Sequence, residues 1–232
     1  MFQNNLSSIY SFIQKRFTIS CMGLHHINKN QNYIFVMNHQ SIMDIPIAFS
    51  LLLPLINRPL HLCMSHRFYD FFWWLTLPLG AIRIHMDYGG AKEQAYNNRQ
   101  LLKGVKRLRE GNNVLIYPEG NIYGGKEGVI LRGKTGAVRM AIQAKKTMIP
   151  IGIRGSNKAY PFLLTTYNPF VTKKIPSIHV CIGKEINLEK YYQMDLHSYT
   201  QKNRMIIRDL TDKLMKDLSV LSGLPSFSAH TS

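Results

Sequence analysis

His39 is followed five positions later by Asp44 in the stretch Asn38-His39-Gln40-Ser41-Ile42-Met43-Asp44. A histidine with a carboxylate in reach is the minimal equipment for general-base chemistry. The carboxylate accepts a hydrogen bond from one ring nitrogen, and the other nitrogen keeps its lone pair for a proton taken from a hydroxyl. The ordinary imidazole pKa of about 6.5 lies near working pH, and the carboxylate stabilises the imidazolium that forms. On one regular helix a five-residue separation would set the two side chains about 140° apart, so they meet only if His39 lies outside the helix. Pro46 belongs in a first helical turn, which predicts a helix starting between Ser41 and Ile45 with His39 on the preceding loop. The competing reading makes Asp44 or Ser41 an ordinary helix cap and His39 a hydrogen-bonded loop residue.

A second loop, Tyr117-Pro118-Glu119-Gly120-Asn121, also follows a run with strand character and reads as a tight turn. If the two strands lie near each other, Glu119 and the amides around Gly120 line one crevice with His39.

The elements that must hold these loops alternate along the chain. Short β-branched and aromatic runs at 33–37, 60–64, 81–85, 113–117, 148–153 and 178–182 predict strands, several apolar throughout as central strands are. Helical patterns cover 44–53, 67–75, 91–109 and 134–145, and a last helix runs over about 198–221, where Ile206, Leu210, Leu214 and Leu218 recur every fourth position. Gly111 is placed to end the 91–109 helix. The pattern predicts a single α/β domain over residues 31–221 with a mixed, mostly parallel sheet flanked by helices, its functional loops at strand ends. Residues 1–30 are expected to add a helical membrane-contacting element, with Leu6, Ile9, Tyr10, Ile13 and Phe17 at helical spacing beside Lys15 and Arg16, the competing reading being an ordinary helix packed on the core, and residues 222–232 a frayed tail.

Composition narrows the partners. The 232 residues carry 29 Lys plus Arg against 13 Asp plus Glu, a formal net charge of +16. An anionic partner follows: nucleic acid, an acidic membrane surface or an acidic protein. Apolar runs beside basic residues, at 51–56 and 71–75, favour lipid over nucleic acid. Phe71-Phe72-Trp73-Trp74-Leu75 reads as core packing or as a wall for an apolar ligand. No run reaches the roughly 18 to 20 apolar residues of a spanning helix, and no secretion signal opens the chain. Cys21, Cys63 and Cys181 are far apart, lack C-x-x-C spacing and suit reduced, buried thiols, and there is no zinc signature.

Four blocks in order resemble the 1-acyl-glycerol-3-phosphate acyltransferase family of glycerolipid synthesis: Asn38-His39-Gln40-Ser41 to Asp44, residues 80–87, Tyr117-Pro118-Glu119-Gly120, and Ile149-Pro150-Ile151. The resemblance implies that His39 is the base that activates an acceptor hydroxyl against an acyl thioester and that Asp44 supports it. It implies acyl-CoA or acyl carrier protein as donor, a lysophospholipid as acceptor, an anionic membrane surface as partner, and neither metal nor cofactor. Two positions depart from the pattern: relatives close the second block with arginine where this chain has Met86, and continue the third as Gly-Thr-Arg where it has Gly120-Asn121-Ile122. Arg83, Lys126, Arg132 and Lys134 lie close enough in sequence to replace those cations towards an acceptor phosphate. The expected acceptor-binding set is Arg83, Glu119, Gly120, Asn121 and Lys134. The expected location is peripheral or monotopic on the cytoplasmic face of a membrane. A thioester hydrolase and an inactive lipid-binding relative are the alternatives, with a nucleic-acid-binding protein behind them.

Overall fold

A computed structural model describes residues 18–71, 73–77, 79–85, 90–120, 128–159, 177–196 and 200–226. Seven strands form one sheet: β1 (Thr18–Met22), β2 (Ile34–Met37), β3 (Leu60–Ser65), β4 (Ile82–Ile84), β5 (Asn113–Ile116), β6 (Met148–Arg154) and β7 (Ser177–Ile182). Their order is β1-β7-β6-β2-β5-β3-β4. Only the β6–β7 pair is antiparallel. The central strands β2 and β5 are buried along their whole length. A strand covered on both faces has no use for polar alternation, so these segments read as continuous apolar runs.

Helices cover the two faces. Phe35 and Met37 pack with Ile47, Ala48 and Leu52 of α1 (Asp44–Leu52) on one side. On the other, Ile34 and Val36 pack with Leu101, Val105 and Leu108 of α4 (Ala91–Arg109), Ala137, Met140 and Ala141 of α5 (Gly136–Ala144) and Ile207, Leu214 and Leu218 of α7 (Gln201–Ser222). Between β3 and β4 lie α2 (His66–Phe71) and α3 (Trp73–Thr76), and α6 (Ser156–Ala159) follows β6.

The predicted α/β layer with a mostly parallel sheet is present, and all six expected strands form. Four findings differ from expectation. The stretch expected to be helical over residues 1–30 contains β1, which pairs in register with β7 from Thr18↔Ser177 to Met22↔Cys181, while residues 1–17 and the 6–17 helix lie outside the described residues. The single helix expected over 67–75 is two short ones. The tail expected to fray from Ser222 is held through Ser226: Ile130 N donates to Pro225 O at 2.9 Å and Ser219 caps the turn through Leu224. Phe71, Trp73 and Trp74, for which core packing was one reading, are exposed. Among the described residues no helix is long and apolar enough to cross a membrane. Cys63 is buried in the core and its thiol is pushed up to about 12 by desolvation, which makes it inert.

Candidate active site

The parallel register Ile34↔Val114, Phe35↔Leu115, Val36↔Ile116 brings the ends of β2 and β5 out together. Carried forward, it sets His39 beside Glu119. Asn38 closes the other flank: its amide group donates to Ile153 O at 2.9 Å and accepts from Ile153 N at 2.7 Å, reproducing a ladder pair between β2 and β6 with a side chain. The loop carrying His39 is thus clamped from both neighbouring strands.

α1 begins at Asp44, with Pro46 in its first turn and His39 outside it, as the spacing predicts. Asp44 is fully buried and does not cap its own helix. One of its oxygens, Oδ2, accepts from His39 Nδ1 at 2.8 Å, from Gln40 N at 2.6 Å and from Ser41 N at 2.8 Å. The loop therefore folds back over the carboxylate, and two main-chain donors fix it before the imidazole engages. With Nδ1 donating to Asp44, the ring proton belongs on Nδ1 and Nε2 is the basic nitrogen. Nε2 has no hydrogen bond among the described residues. The imidazole stacks on Tyr117, ring centroids 4.0 Å apart and planes inclined by 20°. A wall on one face and a hydrogen bond at one nitrogen leave the ring a single orientation.

Glu119 ties the two loops to their surroundings. Its Oε1 accepts from His39 N at 2.7 Å and its Oε2 from Leu131 N at 2.8 Å. Burial raises its carboxyl to about 7, against the opposing pull of those two amides. The turn it stands on closes through Gly120 N to Tyr117 O at 3.2 Å, with Gly120 at φ +71, a conformation costly for any residue bearing a Cβ.

The basic candidates separate. Lys134 N donates to Pro118 O at 2.8 Å, which seats this residue against the Glu119 turn, and desolvation of its half-buried side chain pulls its ammonium pKa below the ordinary value. Arg83 stands two strands from β2's neighbour β5, on the β4 edge. It is bidentate to Asp70 at 2.8 and 2.6 Å and donates to Tyr96 Oη at 2.9 Å and His85 Nε2 at 2.7 Å. Those bonds hold its guanidinium above its already high ordinary pKa and leave it committed. Arg132 is exposed. Met86, Asn121, Ile122 and Lys126 lie outside the described residues. Sequence reasoning missed the parts of Asn38 and Tyr117, because both depend on strand register, although each stands at the end of a predicted strand.

A loop histidine tied to a carboxylate at the start of the next helix stands at the carboxyl ends of a mostly parallel sheet flanked on both faces, the place where α/β folds carry their sites. The sequence profile of the Acyltransferase family matches residues 18–154 and so covers both the His39 loop and the Glu119 turn. The chain belongs to the acyltransferase family. Among solved structures it is similar to the 1-acyl-sn-glycerophosphate acyltransferase PlsC from Thermotoga maritima, with a TM-score of 0.60 and 17% identity over 94% of this chain and 79% of that one. At that identity the likeness concerns the fold. No curated protein matches the chain in sequence.

Proposed function

We propose that this acyltransferase moves a fatty acyl group from an acyl thioester, acyl-CoA or acyl carrier protein, to the hydroxyl of a lysophospholipid such as 1-acyl-glycerol-3-phosphate at a membrane surface. His39 Nε2 takes the proton from the acceptor hydroxyl, and the oxygen attacks the thioester carbonyl carbon. The C–S bond then breaks, and the thiolate leaves with the proton returned by the imidazolium. Asp44 orients the ring and stabilises its cationic form. The observation that carries the reading is the 2.8 Å contact of His39 Nδ1 with a carboxylate already fixed by two amides, with Nε2 left for chemistry. Lys134, whose backbone meets the Glu119–Gly120 turn, is the candidate among the described residues for an acceptor phosphate. Arg83 would serve only by releasing Asp70, and Asn121 completes the set.

The test is product analysis: the purified chain with a mixed lysolipid extract and both donor types, the acylated lipid identified by mass. New diacyl lipid that depends on added lysolipid is the expected result. Thioester loss indifferent to lysolipid would make the protein a hydrolase, and vesicle binding without turnover would make it a lipid-binding relative.

A further inference from the structure

Phe71, Trp73, Trp74 and Leu77 are 75%, 61%, 60% and 62% exposed. Scattered apolar residues on a surface need no explanation, but four large ones within one helical connection do. Trp73 and Trp74 stand four and three positions before Leu77, and Leu77 N donates to Trp73 O at 3.0 Å, so the three share one helical face. We propose that this connection between β3 and β4 is the membrane-docking surface, with these side chains entering the headgroup–acyl boundary of an anionic bilayer. The inference rests on the membrane-surface reading above and names the element that carries it out.

Three observations support lipid as the occupant. Tryptophan favours the boundary between water and hydrocarbon, where an apolar ring and a polar N–H are both satisfied. The back of the connection is pinned: Asp70 by Arg83, Thr76 Oγ1 to Tyr69 O at 3.2 Å, Ala81 N to Thr76 O and Gly80 N to Leu77 O, each at 3.0 Å. A face held rigid while its aromatics stay outward is preorganised to meet a surface. Exposed basic groups stand on the connection and on the helix at the same sheet edge: Arg67 on α2, and Lys92, Arg99 and Lys103 on α4, which meets β4 through Arg83 and Tyr96. Location agrees as well. The connection leaves the carboxyl end of β3, and the parallel pairs β3–β5 and β5–β2 put that end on the side of Glu119 and His39.

Trp73 and Trp74 are the chain's 2 tryptophans, so the native protein reports on this surface without labelling. Vesicles of phosphatidylcholine with phosphatidylglycerol should shift tryptophan emission to the blue, and lipids brominated near the headgroup should quench it. Trp73→Ser with Trp74→Ser, both exposed, should keep the circular dichroism spectrum and weaken flotation with vesicles by about tenfold or more. Flotation of the native chain with unchanged emission, or undiminished flotation of the double variant, overturns the inference while leaving the membrane reading in place. A native chain that does not float at all removes the membrane reading itself. A blue shift that follows protein concentration without vesicles overturns the inference in favour of a second copy as occupant.

Discussion

Three donors converge on Asp44 Oδ2, and only one of them is the imidazole. Asp44→Asn can keep its amide oxygen on all three donors, but it removes the charge beside the imidazole and puts an amide NH2 where the buried Oδ1 has no hydrogen-bond partner, so it weakens both the base and the loop. His39→Ala removes the base and leaves the carboxylate satisfied by Gln40 and Ser41. In the proposed mechanism His39→Ala should lose acyl transfer by about 10³-fold or more with little change in melting temperature. Asp44→Asn should lose nearly as much activity and also melt lower. Steady-state rates beside thermal melts check the contrast, and near-normal transfer in both variants would remove the mechanism. The pair was legible in the sequence because a proline fixed where the helix begins. The bonds of Glu119 to His39 N and Leu131 N were not legible, since both donors reach it only through the fold. Its carboxyl, raised by burial to about 7 from 4.5, gives a second prediction. Between those values the folded chain keeps a proton that the unfolded chain has released. The stability Glu119 contributes is therefore complete below about 4.5 and is lost as pH rises through about 7, a swing of about 3 kcal/mol. Denaturant melts of the native chain and Glu119→Gln should differ by an amount that changes in that direction over this window. A constant difference would mean the carboxyl titrates normally.

At the scale of elements, α7 and β6 meet at Gly152. A Cβ there would lie 2.3 Å from Ser222 N and 2.4 Å from Leu221 C, both main chain and unable to swing aside. Gly152→Ala must push the end of α7 off the sheet, at a cost of about 2 to 3 kcal/mol. Gly133→Ala is the useful contrast, because its Cβ would meet Sδ and Cγ of Met215, a side chain that can re-rotamer, so it should cost under about 1 kcal/mol. Urea midpoints of the two variants test the difference, and equal midpoints would show that α7 yields as easily as Met215. The elements themselves were read from the sequence wherever burial is symmetric: β2, β5 and β6 are largely apolar on both faces, and α4 buries Leu101, Val105 and Leu108 before Gly111 at φ +86. β1 was not legible. Its residues Thr18–Met22 are half exposed and short, and their strand identity comes from Ser177–Cys181, a partner no local pattern points to. The exposure of the aromatic run at Phe71 was not legible for a related reason, since an apolar stretch looks the same whether it is buried or left at the surface.

For the whole molecule, the net charge of +16 admits a bilayer and a nucleic acid among its anionic partners, and salt tells these two apart. Charge alone, acting on phosphates of either a bilayer or a nucleic acid, is screened as the Debye length falls from about 10 Å at 0.1 M to about 3 Å at 1 M. Each exposed Lys or Arg near an anionic leaflet contributes about 1 kcal/mol at low salt and little at high salt. Apolar insertion is not screened. If Phe71, Trp73, Trp74 and Leu77 enter the bilayer, binding to anionic vesicles should fall with salt and then level off. Binding to duplex DNA should fall without a plateau. The Trp73→Ser, Trp74→Ser chain should keep the salt-sensitive limb and lose most of the plateau, because only the apolar part has been removed. Vesicle and DNA titrations over the same salt series check all three curves. A plateau unchanged in the double variant would assign the apolar contact to some other part of the chain. A steep, plateau-free curve shared by vesicles and DNA would make the charge a general polyanion surface rather than one half of a lipid-binding face.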